Sequence, residues 1–271
     1  MAIAVIPFMA VFGTFYFLRK KKNRRAALFC KAAATFMPVL LLVCSFSKLF
    51  PGTGIVVGNM GTAAADGNTG EMLYAYICTL AALVFYMAAD VLLECKFVWG
   101  AVCFSAGHIC MTAGFVLGGE VSAAGKYAEK YAEEYAGKTA GIYSYGAEIP
   151  TQTEISLLLG VCFLLSVFLA AFFLRKYIPH LKKLLVPAVL YILILSVMCS
   201  AAVVSGTVRI LETGNAAGLI PIAGGVFFLV SDILLGINRL GRKRSKVRGA
   251  AVLILYYLSV YLLAVRLFAV N

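Results

Sequence analysis

Along this chain, apolar residues gather into long continuous runs separated by short polar breaks. Eight runs are long enough to cross a hydrocarbon core at about 20 residues per crossing: roughly 2–18, 26–49, 72–94, 97–118, 154–174, 184–207, 216–237 and 249–268. The runs lack the period of two that a barrel strand requires, so they predict helices. The expected fold is an all-α membrane protein with eight transmembrane helices in a single polytopic domain over residues 1–271. Composition agrees: 62% of residues are hydrophobic and 13% charged, which excludes an ordinary soluble domain.

Charge adds an orientation. The basic clusters RKKKNRR (19–25), RKYIPHLKK (175–183) and NRLGRKRSKVRG (238–249) fall in alternate loops, and with Lys31 and Lys96 they hold most of the 24 Lys and Arg. Most acids, among them Glu71, Glu120, Glu148, Glu154 and Glu212, fall on the other side with the remaining bases. The positive-inside rule then places the basic loops in the cytoplasm and both termini outside. The net charge of +12 reads as topology and contact with anionic headgroups, with no nucleic-acid partner required. The first run has no basic stretch before it and no A-x-A-like site after it, so it reads as a span rather than a signal peptide. A multi-pass protein of the cell membrane is expected. A basic loop follows both the first and the fifth run, and similar D-[VI]-L-L segments close the third and seventh, as two parallel four-helix halves would produce.

Two loops stand out. Residues 51–71 are glycine-rich but carry no G-K-[ST], so they read as an extracytoplasmic connection rather than a phosphate-binding loop. Residues 119–153 form a long insertion in which Tyr127, Tyr131 and Tyr135 recur every four residues, which predicts a short helix in the outer interface. The eight cysteines all lie inside predicted helices without a C-x-x-C pair, and read as small apolar packing groups.

Against this background two carboxylates are conspicuous: Asp90 in YMAADVLLECKFVWG and Asp232 in FFLVSDILLGINRLG. A carboxylate in a membrane helix is costly and by default faces the bundle interior or water. At 1.5 Å rise per residue, Asp90 falls about 6 Å and Asp232 about 9 Å from the cytoplasmic ends of their spans. Lys31, Tyr191 and Tyr256 fall between roughly 7 and 11 Å on the same side, whereas His108 lies deeper, at roughly 16 Å. Two readings fit this layer. It is either an Asp–Lys network that locks helices together or a functional pocket. Glu94, beside Lys96 at a helix end, reads as solvated. The two histidines, His108 and His180, are too few for a three-ligand zinc hydrolase with a histidine-rich set. Neither H-E-x-x-H nor G-x-S-x-G occurs. No metal or other cofactor is expected.

At these residues the chain resembles the YhhN family of membrane proteins, whose characterised animal members are lysoplasmalogenases. AADVLL resembles the family's G-D-x-x-L segment, with Ala89 for glycine. WGAVCFSAGH resembles G-x-x-x-F-x-x-x-H through Gly100, Phe104 and His108. GGVFFLVSDILLGINRL resembles a longer segment through Gly224, Phe228, Ser231, Asp232, Asn238 and Arg239. Lys31 resembles the lysine of a K-P pair, with Ala32 for proline, and Tyr256 and Tyr257 resemble the last helix, with Val260 where glutamine is expected.

The resemblance implies hydrolysis of the vinyl ether bond of a lysophospholipid-like substrate drawn from among membrane lipids. Asp90 and Asp232 would be catalytic, and Lys31, His108, Tyr191, Asn238, Tyr256 and Tyr257 would bind substrate. Such chemistry needs one carboxylic acid to protonate carbon, with Asp232 as the first choice, and one carboxylate to stabilise the resulting oxocarbenium ion and deprotonate water. The alternative is a lipid or amphiphile transporter that uses the same aspartates to bind protons or a headgroup.

Overall fold

The computed structural model describes residues 9–11, 13–14, 23–50, 67–121, 151–181, 184–241 and 245–268. Among these residues seven helices are long and apolar enough to cross a membrane. They are α1 (Arg24–Leu49), α2 (Gly67–Cys95), α3 (Phe97–Leu117), α4 (Gln152–Leu174), α5 (Leu185–Thr213), α6 (Leu219–Leu240) and α7 (Lys246–Val265). Of the first predicted run, residues 9–11, 13 and 14 are described and helical. The rest of that run, and the tyrosine-bearing helix expected in 119–153, lie outside the described residues.

Helix ends follow local chemistry more closely than hydropathy. The Asn23 side chain accepts from the Ala26 amide and starts α1. Thr151 and Glu154 form a reciprocal capping box at α4, and Ser245 caps α7 through the Arg248 amide. Gly214, at φ 64°, adopts the left-handed conformation that ends α5 without the steric cost a side chain would bring. Some boundaries therefore differ from the hydropathic runs. α2 begins at Gly67, inside the stretch expected to be loop, and α5 continues to Thr213. Backbone hydrogen bonding carries a helix past the hydrocarbon edge wherever the interface tolerates its polar side chains.

Six helices close a ring in which each packs on the next: α1, α2, α3, α5, α6, α7 and back to α1. The tightest pair, α2 and α3, is an antiparallel hairpin joined by Lys96 alone. Gly107 lets these two helices approach, since a Cβ there would meet the Tyr86 ring at 2.5 Å. α4 stands outside the ring, against α5 and α6. Its Leu157, Leu164 and Phe168 are each more than 60% exposed.

The burial pattern inverts that of a soluble protein. Leucines and phenylalanines cover the outside, while Lys31, Thr35, Asp90, His108, Ser231 and Arg266 are buried. The molecule is an integral membrane protein with its polar groups turned inward.

One of those groups, Arg266, anchors a second ion pair. Glu120 and Arg266, expected as outer-side charges, pair in the interior, with Arg266 Nε 3.1 Å from Glu120 Oε1. Arg266 also donates to Thr79 Oγ1 at 3.0 Å and to the Leu263 carbonyl at 2.7 Å, and lies 4.1 Å over the Phe115 ring. Ser205 donates to the other Glu120 oxygen at 3.0 Å. Four partners satisfy charges that hydropathy alone assigns to water.

Candidate functional site

The site grows from the end of α2. Asp90 lies one and a half turns before Cys95, on the α2 face turned toward α1 and α7, and is fully buried. Lys31 on α1 places its ammonium 3.0 Å from Asp90 Oδ1 and donates to the Asp90 carbonyl oxygen at 3.3 Å. Thr35, one turn further along α1, donates to Asp90 Oδ2, and Tyr256 of α7 donates to the same oxygen at 3.2 Å. Three helices thus converge on one carboxylate, leaving it compensated by a cation and two hydroxyl groups.

Asp232 on α6 has a different environment. Its Oδ2 accepts from the Tyr191 hydroxyl of α5. Behind Tyr191 stands His108 of α3, with Nε2 3.4 Å from the hydroxyl, and behind His108 stands Tyr86 of α2, 2.9 Å from Nδ1. Because Tyr191 gives its proton to Asp232, its oxygen is free to accept from His108 Nε2–H. His108 Nδ1 then accepts from Tyr86. The donors run one way, from Tyr86 to His108 to Tyr191 to Asp232. Tyr86, Phe104 and Phe228 enclose the imidazole. Among the described residues no cation is within ion-pair distance of Asp232.

Asp90 and Asp232 line one cavity of about 150 Å³. Lys31, Tyr256, Phe104 and Leu253 share its walls. Asn238, Arg239 and Glu94 stand toward the end of the bundle that bears the basic loops. Arg239 reaches Glu94 Oε1 at 3.4 Å and the Leu93 carbonyl at 3.4 Å, so Glu94 is ion-paired at the cavity and not merely solvated as its neighbour Lys96 suggested. Asn238 accepts from the Ser245 amide at 3.1 Å and thereby ties the α6–α7 link beside the cavity. Ser231, next to Asp232, donates to the Val252 carbonyl at 3.1 Å and fixes α6 against α7 at this level.

A family model described as the YhhN family matches residues 61–267. The chain belongs to the YhhN family. The matched residues contain Asp90, His108, Tyr191, Asp232, Asn238, Arg239, Tyr256 and Tyr257, whereas Lys31 and Thr35 precede them. No curated protein and no solved structure matches this YhhN chain.

The expected site residues separate into three positions in this YhhN structure. Lys31, Asn238 and Tyr256 share the cavity wall with the two aspartates. Tyr191 and His108 are joined to Asp232 by hydrogen bonds but are not among the lining residues. His108, expected among the substrate-binding groups, thus reaches Asp232 through Tyr191 rather than lining the cavity itself. Its ring is wholly buried, and although it lies deeper than the aspartate layer, Tyr191 bridges the gap. Tyr257 points away, donating to the Lys31 carbonyl at 3.4 Å and lining a second cavity. Thr35 escaped the sequence reading. Its position one turn after Lys31 is the only signal that would have found it, since an isolated threonine in a membrane helix ordinarily bonds its own backbone.

Proposed function

We propose that this YhhN-family protein is an intramembrane hydrolase that cleaves the vinyl ether bond of a lysoplasmalogen-like lysophospholipid, giving a fatty aldehyde and a glycerophospho-base. The observation that carries the proposal is the unequal pairing of two carboxyl groups on one cavity. Asp90 is held against the Lys31 ammonium, and Asp232 against a phenol.

That inequality divides the chemistry. Lys31 keeps Asp90 as the carboxylate. Asp232, with no cation within ion-pair distance among the described residues, carries the proton, which its Oδ1 presents to the substrate. Asp232 transfers this proton to the vinyl β-carbon, and the carbon bearing oxygen becomes an oxocarbenium ion. Asp90 stabilises that cation and takes a proton from water as the water oxygen bonds to it. The hemiacetal then collapses. Asp90 returns its proton to the glycerol oxygen, Asp232 takes the hemiacetal hydroxyl proton, and both groups are restored. Arg239 and Lys31 supply positive charge for the lipid phosphate. The active end faces the cytoplasm in this reading, with both termini outside and the two halves of the chain related as parallel repeats.

One feature supports an enzyme over the transporter alternative. The described helices that line the cavity run through it without a break, whereas transporter sites are typically built from discontinuous helices. The direct test is aldehyde release from a lysoplasmalogen by purified protein in detergent or nanodiscs. Binding of the lipid without aldehyde, or lipid movement across vesicles without cleavage, would replace this function with transport.

The hydrogen-bonded file behind Asp232 gives a second test. Tyr191→Phe is expected to lower turnover about tenfold, the worth of one hydrogen bond of about 1.4 kcal/mol to the reacting carboxyl. His108→Gln should fall in the same direction, and the double variant should be no worse than about the larger single effect. Additive losses would show that His108 acts elsewhere.

A further inference from the structure

A second cavity, of about 460 Å³, lies between the N-terminal helical residues and α7. Met9, Ala10 and Gly13 form one wall, and Leu253, Tyr257 and Leu258 face them. Three hydroxyl groups stand on its walls: Thr14 donates to the Ala10 carbonyl, Tyr257 donates to the Lys31 carbonyl, and Tyr261 lies at the far end of the α7 wall. The rest of the lining is hydrocarbon and aromatic carbon, so the space offers little to a charged headgroup.

Leu253 belongs to both cavities. The polar cavity holds the carboxyl groups but, at about 150 Å³, is well below the roughly 300–1,000 Å³ of sites that enclose a whole ligand. The apolar cavity falls within that range. Its α7 wall runs from Ala250 to Tyr261, about 16 Å of helix, which is about half of a hydrocarbon core roughly 30 Å thick. That is the depth of one leaflet, the length that a single lipid chain occupies.

We infer that the apolar cavity along α7 binds the hydrocarbon chain of the substrate, so that the reacting ether sits where the two cavities meet at Leu253. This rests on the lysophospholipid reading above. It adds that selectivity for chain length resides in the contact between the N-terminal helical residues and α7. Gly13 sets the width of the groove there. A Cβ at that position would meet the Tyr257 ring at 3.1 Å and Leu253 at 3.6 Å, so a larger side chain must take space from the cavity.

The experiment uses a non-hydrolysable sixteen-carbon alkyl ether lysophospholipid with a diazirine at the chain end, so binding is read apart from turnover. Photolabelling of the full-length protein in nanodiscs should mark peptides containing Met9 to Thr14 and Ala250 to Tyr261, and the unlabelled lipid should compete. Gly13→Leu from one wall and Leu258→Trp from the other should each lower the ratio of sixteen- to eight-carbon affinities at least about tenfold, because each methylene excluded from the groove forfeits its burial. Thermal unfolding identifies a variant that fails to fold, and the other wall then supplies the ratio. Labelling confined to other helices overturns the inference. So does an unchanged ratio in a folded variant. Labelling by a diacyl phospholipid that the lysolipid cannot displace also overturns it, since the groove would then hold ordinary bilayer lipid. If labelling and ratios behave as expected but no aldehyde forms, the chain site stands and the hydrolase reading fails.

Discussion

Asp232→Asn lowers vinyl ether turnover by about 100-fold or more, the usual worth of a general acid, while the protein remains as stable as the parent. Asparagine keeps the size of the side chain and can still accept from Tyr191, but it has no proton to give to carbon. Asp90→Asn lowers turnover similarly and, unlike its counterpart, also lowers stability. It takes the carboxylate away from the buried Lys31 ammonium, and breaking a buried ion pair by neutralising one partner costs about 3–5 kcal/mol. Adding Lys31→Met to Asp90→Asn should recover much of that stability without recovering activity. The readouts are aldehyde release per folded molecule and thermal unfolding of the same preparations. Turnover near the parent rate in both asparagine variants would reduce the two-carboxylate site to an architectural network.

The second large effect lies at the opposite end of the bundle. Arg266→Met is expected to cost about 3–5 kcal/mol, because it leaves Glu120 as an unpaired carboxylate against Ser205. Glu120→Gln should cost a comparable amount by stranding the guanidinium, although Thr79 and the Leu263 carbonyl still receive its other N–H groups. The double variant should recover much of the loss, since replacing a whole buried pair by neutral groups is often close to neutral. Turnover per folded molecule should change little, because Thr79 is 11 residues from Asp90 on α2, about 16 Å along the helix. Equal melting temperatures for parent and Arg266→Met would mean that the pair does not hold the interior together.

Hydropathy made the spans legible because a membrane helix must hide its backbone and show apolar side chains to lipid, whatever its neighbours are. Rise per residue made depth legible, which is why Lys31, Asp90, Tyr191, Asp232 and Tyr256 could be assigned to one layer. Rotation about each helix axis was not legible. Nothing in the sequence says that Lys31 turns to Asp90, or that Tyr191 joins His108 to Asp232 while Tyr257 turns to the second cavity. Those choices belong to the order of helices in the ring. The ends of spans were read least well. Glu94, Glu120 and Arg266 lie where a charge can reach water or fold back into protein, and only a partner many residues away decides between them.

The position of α4 has a consequence for how the chain is threaded. α3 and α5 are neighbours in the ring and run in the same direction, each starting at the end that carries the basic loops. Two adjacent parallel helices cannot be joined by a short turn. The chain has to be carried back across the bilayer between them, and α4 is that return stroke. It adds little to the interior, yet it fixes the parity of everything after it. Without this one crossing, α5, α6 and α7 would enter from the opposite face, and Asp232 would be at the wrong side of the membrane to meet Asp90.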